Sequence, residues 1–79
     1  MHKIILLNSI EKVKMFVHIC NKYNDLYIDL KSGRYIIDGK SIMGVFSLDL
    51  SKPIHLTTEG DASVFNEFLE EIKEYIIEE

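Results

Sequence analysis

Leu26-Tyr27-Ile28-Asp29-Leu30-Lys31-Ser32-Gly33-Arg34-Tyr35-Ile36-Ile37-Asp38 decides the architecture. Over residues 26–31, apolar Leu26, Ile28 and Leu30 alternate with Tyr27, Asp29 and Lys31, the period of two that marks a strand with one buried face. Ser32-Gly33 is a tight-turn signal. Residues 34–38 then form a second run rich in aromatic and β-branched side chains, so the segment predicts an antiparallel hairpin. Such a pair, polar on alternate positions, needs cover on one face only.

Working upstream, residues 3–7 form a short isoleucine- and leucine-rich run closed by Asn8-Ser9, a length that suits a strand. Asn8 with Glu11 three residues later has the pattern of a capping box, and Ser9 is the rival N-cap. In the helix that follows, Ile10, Val13, Phe16, Val17 and Cys20 recur at spacings of three and four and define a core-facing stripe. Met15 and Ile19 fall off that stripe and are expected on a partly exposed flank. Downstream, Ser41 caps a short segment over residues 42–48, where Gly44 lowers helix propensity by about 1 kcal/mol. Pro53 introduces a strand at residues 54–58, and Gly60-Asp61 turns the chain into a last helix. That helix is expected to place Val64, Phe65, Phe68, Leu69, Ile72, Tyr75 and Ile76 on one face, with Glu67, Glu70, Glu71 and Glu74 on the other.

The element order β-α-β-β-α-β-α predicts a single α/β (α+β) domain over residues 1–79. Its expected form is an open-faced β-sandwich, a four-stranded antiparallel sheet covered on one face by three helices. A ferredoxin-like split βαβ arrangement is the rival on order alone. A chain of 79 residues buries only about two-thirds of its unfolded surface, so its stability margin is thin.

The balance of 47% hydrophobic to 28% charged residues excludes a disordered chain. Four lysines face one glutamate in residues 1–23, whereas one lysine faces eight acids in residues 59–79. That distribution offers no continuous basic stripe, and direct nucleic-acid binding is not expected. The apolar run at residues 3–7 is far too short to span a bilayer and lacks a following cleavage pattern, so a cytoplasmic protein without membrane attachment is expected. The single cysteine, Cys20, reads as a small core hydrophobe.

Candidate chemistry is sparse. His2, His18 and His55 lack the spacing of a metal pair, and no Cys-x-x-Cys or His-x-x-x-His occurs, so neither a metal nor any other cofactor is expected. Alternation with Ile54 and Leu56 points His55 away from the core. Gly39-Lys40-Ser41 lacks the upstream glycine of a phosphate-binding loop. No catalytic centre is visible, and the chain is not read as an enzyme.

The stretch Lys40-Ser41-Ile42-Met43-Gly44-Val45-Phe46-Ser47-Leu48 closely resembles the segment around the regulatory serine of the HPr family, the small phosphocarriers of the bacterial sugar phosphotransferase system. The likeness extends more loosely along nearly the whole chain through the order of elements. Carrier activity in that family depends on a histidine in a Gly-Ile-His-Ala-Arg-Pro-Ala-like motif. Laid back from Ser41 without gaps, the motif falls on residues 8–14, with Ile10 in the place of the phosphorylated histidine and Lys12 in that of the arginine. The resemblance therefore implies a member without carrier activity, similar to the catabolite-repression branch. It further implies that Ser41 is a regulatory phosphorylation site and that Ile42, Met43 and Phe46, with Lys12 and Lys40, face protein partners. Those partners would be HPr kinase and a catabolite-control transcription factor. A divergent phosphocarrier using another residue, or an interaction module unrelated to sugar transport, are the alternatives.

Overall fold

The computed structural model describes residues 1–78; Glu79, the last acid of the C-terminal run, lies outside them, as does the side chain of Glu78. The elements are β1 (His2–Ile5), α1 (Ile10–Cys20), β2 (Tyr27–Ser32), β3 (Tyr35–Asp38), α2 (Ile42–Phe46), β4 (Ile54–Glu59), α3 (Ala62–Ile72), a 3-10 turn (Lys73–Tyr75) and β5 (Ile76–Glu78). They build one antiparallel sheet in the order β3-β2-β4-β1-β5. The hairpin forms as its alternation requires, with Ser32 opposite Tyr35 across a two-residue loop. Gly33 takes φ 60° there while Arg34 keeps a negative φ, the type II′ arrangement that matches strand twist and favours glycine at its first position.

Inward-facing Ile28, Leu30, Ile54 and Leu56 join Phe16, Val13, Phe65 and Phe68 from the helices in a single core. Phe16 lies at its centre, edge-on to Phe68 and Tyr75 with ring centroids 6.4 and 6.3 Å away. The opposite face of the sheet is left open to solvent, carrying His2, Tyr27, Asp29, Lys31, Ile36, His55 and Thr57.

Four expectations are corrected. The sheet has five strands, not four, because the last helix stops at Ile72; one 3-10 turn then reverses the chain, and Ile76 pairs with Ile5 of β1 instead of continuing the helical face. The N-cap of α1 is Ser9, whose side chain accepts from Lys12 N–H at 3.2 Å. Asn8 instead accepts from the Lys12 ammonium at 3.0 Å. Ile10 in the first turn is 61% exposed, clear of the core, whereas Ile19 is buried. α1 packs against both α2 and α3, so its covered surface is wider than one stripe. Glu71, expected on a solvated face, is half-buried and accepts from both Lys22 Nζ and Tyr23 Oη, tying α3 to the end of α1.

Candidate functional site

α2 holds only five residues and one of them is Gly44, so its start depends on its cap. Ser41 is extended (φ −97°, ψ 110°) and its Oγ accepts from Gly44 N–H at 3.1 Å, while its carbonyl accepts from Val45 N–H at 3.0 Å. Its own N–H donates to Asp38 O at 3.0 Å, which joins the cap to the end of β3. The residue itself is exposed. Of the α2 side chains only Val45 is buried. Ile42, Met43 and Phe46 are 39%, 78% and 37% exposed and lie on the same short helix, an apolar surface beside the serine hydroxyl.

Lys40 is drawn into the scaffold. Its ammonium donates to Leu26 O at 2.8 Å, its N–H donates to Asp38 Oδ1 at 2.9 Å, and its carbonyl accepts from Asn21 Nδ2 at 3.0 Å. The contact with Asn21, the C-cap of α1, sets Ser41 beside that end of the helix. Ile10 and Lys12 occupy the other end, about 16 and about 14 Å from Asn21 along the helix axis at about 1.5 Å per residue. The sequence-predicted site residues therefore divide between a compact cluster, Lys40 to Phe46, and a separate helix start where Ile10 offers only an alkyl side chain. No nucleophile stands at that position.

Cys20 is fully buried, and burial pushes its thiol well above the ordinary value. It contributes to packing and is no reactive group. Tyr23 is raised to about 12 by the hydrogen bond it donates to Glu71 and by desolvation, while Glu71 is held below the usual carboxylate range first by Lys22 and then by Tyr23. This trio is a structural clasp between helices.

Periodicity missed one pairing. β1 and β4 run antiparallel with His2 opposite Thr57 and Ile4 opposite His55, so the two histidines are diagonal neighbours on the open face. His2 Nε2 and His55 Nδ1 are 3.0 Å apart. The outward alternation of His55 was a visible signal, but the register that brings His2 to it spans 53 residues. Among the described residues no group of three or more histidine, cysteine, aspartate or glutamate side chains is placed to hold a metal ion. Likewise, no helix among them is long and apolar enough to cross a membrane.

No protein-family model and no curated protein matches the chain. Solved structures do. The crystal structure of HPr-C-His from Thermoanaerobacter tengcongensis superposes with a TM-score of 0.73 at 22% identity, covering 92% of this chain and 91% of that one. The crystal structure of a phosphocarrier protein HPr from Bacillus anthracis str. Ames gives 0.72 at 24% identity, covering 98% and 96%. Helices on one face of an antiparallel sheet, in this order and over this length, give the chain the HPr fold.

Proposed function

We propose that this chain is a regulatory HPr-like protein of the sugar phosphotransferase system, acting by being recognised by other proteins and not by carrying phosphate on histidine or by catalysis. The observation that carries the reading is Ser41: an exposed hydroxyl at the cap of α2, flanked by exposed Ile42, Met43 and Phe46. Phosphorylation there by HPr kinase adds about −1.5 to −2 charges and three acceptor oxygens beside a small apolar surface. A partner with basic side chains next to an apolar pocket then reads charge and apolar anchors together. A catabolite-control transcription factor is such a partner. Met43, the most exposed of the three, is unbranched and adapts its shape to the surface it meets.

The other half of the reading is Ile10. Ser9, its neighbour, has its oxygen engaged as the α1 cap, and Lys12 is engaged with Asn8. Neither supplies a nucleophile with a base beside it. The test is incubation of the purified protein with HPr kinase and ATP, followed by intact-mass measurement. One phosphate should be gained by the parent protein and none by Ser41→Ala. Incubation with enzyme I and phosphoenolpyruvate should leave no acid-labile phosphate. Labelling by enzyme I would replace this reading with that of a divergent carrier, and no gain from the kinase would remove the role of Ser41.

A further inference from the structure

The open sheet face holds a feature that the Ser41 reading does not use. His2 Nε2 and His55 Nδ1 are 3.0 Å apart, with ring centroids at 5.2 Å and planes 28° from parallel. The centroid separation is about two ring radii plus the nitrogen gap, so the rings meet nearly end on, nitrogen to nitrogen. One shared N–H serves both. The pair stands in a surface depression of about 440 Å³, whose other lining includes Asp29, Lys31, Ile36 and Thr57.

We propose that His2 and His55 form a surface site for a late first-row divalent cation, with Cu²⁺ preferred. Two imidazoles binding one ion at about 2.0–2.1 Å each stand about 2.9 Å apart when the angle at the metal is near 90°, and about 3.4 Å apart when it is tetrahedral. The observed 3.0 Å matches the first case, the cis arrangement of a tetragonal Cu²⁺ or Ni²⁺ centre. Copper also leads the affinity order for nitrogen ligands. Binding needs only that each ring tilt about its soft terminal torsion until both lone pairs converge on one point. Protons balance by a tautomer change: His2 binds through Nε2 and keeps its proton on Nδ1, while His55 binds through Nδ1 and keeps its proton on Nε2. Both rings stay neutral.

Two protein ligands leave the remaining positions to water. Asp29 and Thr57 face each other across β2 and β4 on the same side of the sheet and offer acceptors to that water. Lys31 lies opposite His55 and opposes a cation, with Asp29 on the same strand as its counter-charge. The result is an open, exchangeable site for a soft-to-borderline cation, unlike a closed structural centre. It is independent of the role of Ser41.

Titration of the full chain with Cu²⁺, followed by calorimetry and electron paramagnetic resonance, tests the assignment. One ion per chain is expected, with hyperfine coupling to two imidazole nitrogens, and Zn²⁺ should bind more weakly. His55→Ala and His2→Ala should each weaken Cu²⁺ binding by about tenfold or more, at least as much as loss of an outer-shell partner does. Circular dichroism checks that each variant folds, and His55→Gln serves if the alanine variant does not. Unchanged affinity and spectrum in the His55 variant would overturn the proposal, since the ion would then be held by His2 with the amino terminus, or by the acids of α3. So would the absence of saturable binding.

Discussion

Replacing Ser41 with alanine removes the side-chain acceptor that caps α2 and leaves Gly44 N–H without its 3.1 Å partner. Loss of a serine cap costs about 1 kcal/mol, within a range of about 0.5–2. The cost should register in global unfolding because α2 is pinned to the core by Val45, and Leu48 just beyond it is also buried. In a domain of 60–100 residues, 1 kcal/mol lowers the midpoint by about 4–8 °C. Aspartate caps as well as serine, and glycine loses only a few tenths of a kcal/mol, so the expected order of stability is parent and Ser41→Asp together, then Ser41→Gly, then Ser41→Ala. Thermal melts by circular dichroism would establish the order. Hydrogen exchange at the Gly44 amide gives an independent readout, with faster exchange expected in the alanine and glycine variants, which lack a side-chain acceptor, and not in Ser41→Asp. If Ser41→Ala melts with the parent and Gly44 stays protected, this hydroxyl does not hold the start of α2. The Ser41→Ala variant is also the control for the kinase assay, and its stability shows that lost phosphorylation is not lost folding.

Three further outcomes follow from buried and close-packed groups. Thr58 is 3% exposed and its hydroxyl has no hydrogen-bond partner among the described residues, so Thr58→Val, which keeps the β-branch and the backbone pairing with Ile28, should stabilise the protein by about 1 kcal/mol in urea unfolding. Destabilisation would mean that the hydroxyl is satisfied after all. Gly60 has φ 149°, and a β-carbon there would stand 2.6 Å from Leu26 Cδ2 and 3.0 Å from Asp25 O; Gly60→Ala should therefore cost more than about 1 kcal/mol, and a neutral substitution would refute the close approach. The Tyr23–Glu71 clasp makes stability depend on pH at both ends. Glu71 has a lowered folded pKa, so its contribution is full above the ordinary carboxylate value of about 4.3 and declines as pH falls through the folded value. Tyr23 has a raised one, so its contribution is full below about pH 10 and is lost as pH rises through about 12. Glu71→Gln should flatten the acid limb and bring one late-titrating tyrosine back toward the ordinary range in an ultraviolet titration; an unchanged tyrosine profile would break the clasp.

Local patterns carried most of the architecture. The hairpin is written in the alternation of residues 26–31 and in Gly33, and the start of the short helix in Ser41. What could not be read was decided between elements far apart in the chain. Helical spacing runs on through Tyr75, and nothing local says that Ile76 leaves the helix; its partner is Ile5, 71 residues earlier. Ile10 and Ile19 exchange their expected environments because the width of the covered face of α1 is set by α2 and α3 and not by the stripe itself. The resemblance placed Lys40 among the partner-facing residues, yet the carbonyl of Leu26 takes its ammonium. The His2–His55 contact depends on strand register alone. The cap at Ser41 was legible in its local sequence, whereas Ile42, Met43 and Phe46 were named through the family resemblance and lie exposed in the same short helix.

The place of β1 in the sheet order governs when the domain can close during synthesis. β1 is the first strand made, but its two neighbours, β4 and β5, are the last two. As the chain leaves the ribosome, β1 therefore keeps two unpaired edges until residues 54–59 emerge, and one until residues 76–78 do. The β2–β3 hairpin and α1 can form early, but the sheet cannot be completed before residues 76–78 are free. Contacts of such long sequence separation slow folding, and an exposed strand edge invites pairing with another chain. Loss of the last few residues, a small change in length, would reopen the edge of the strand that carries His2.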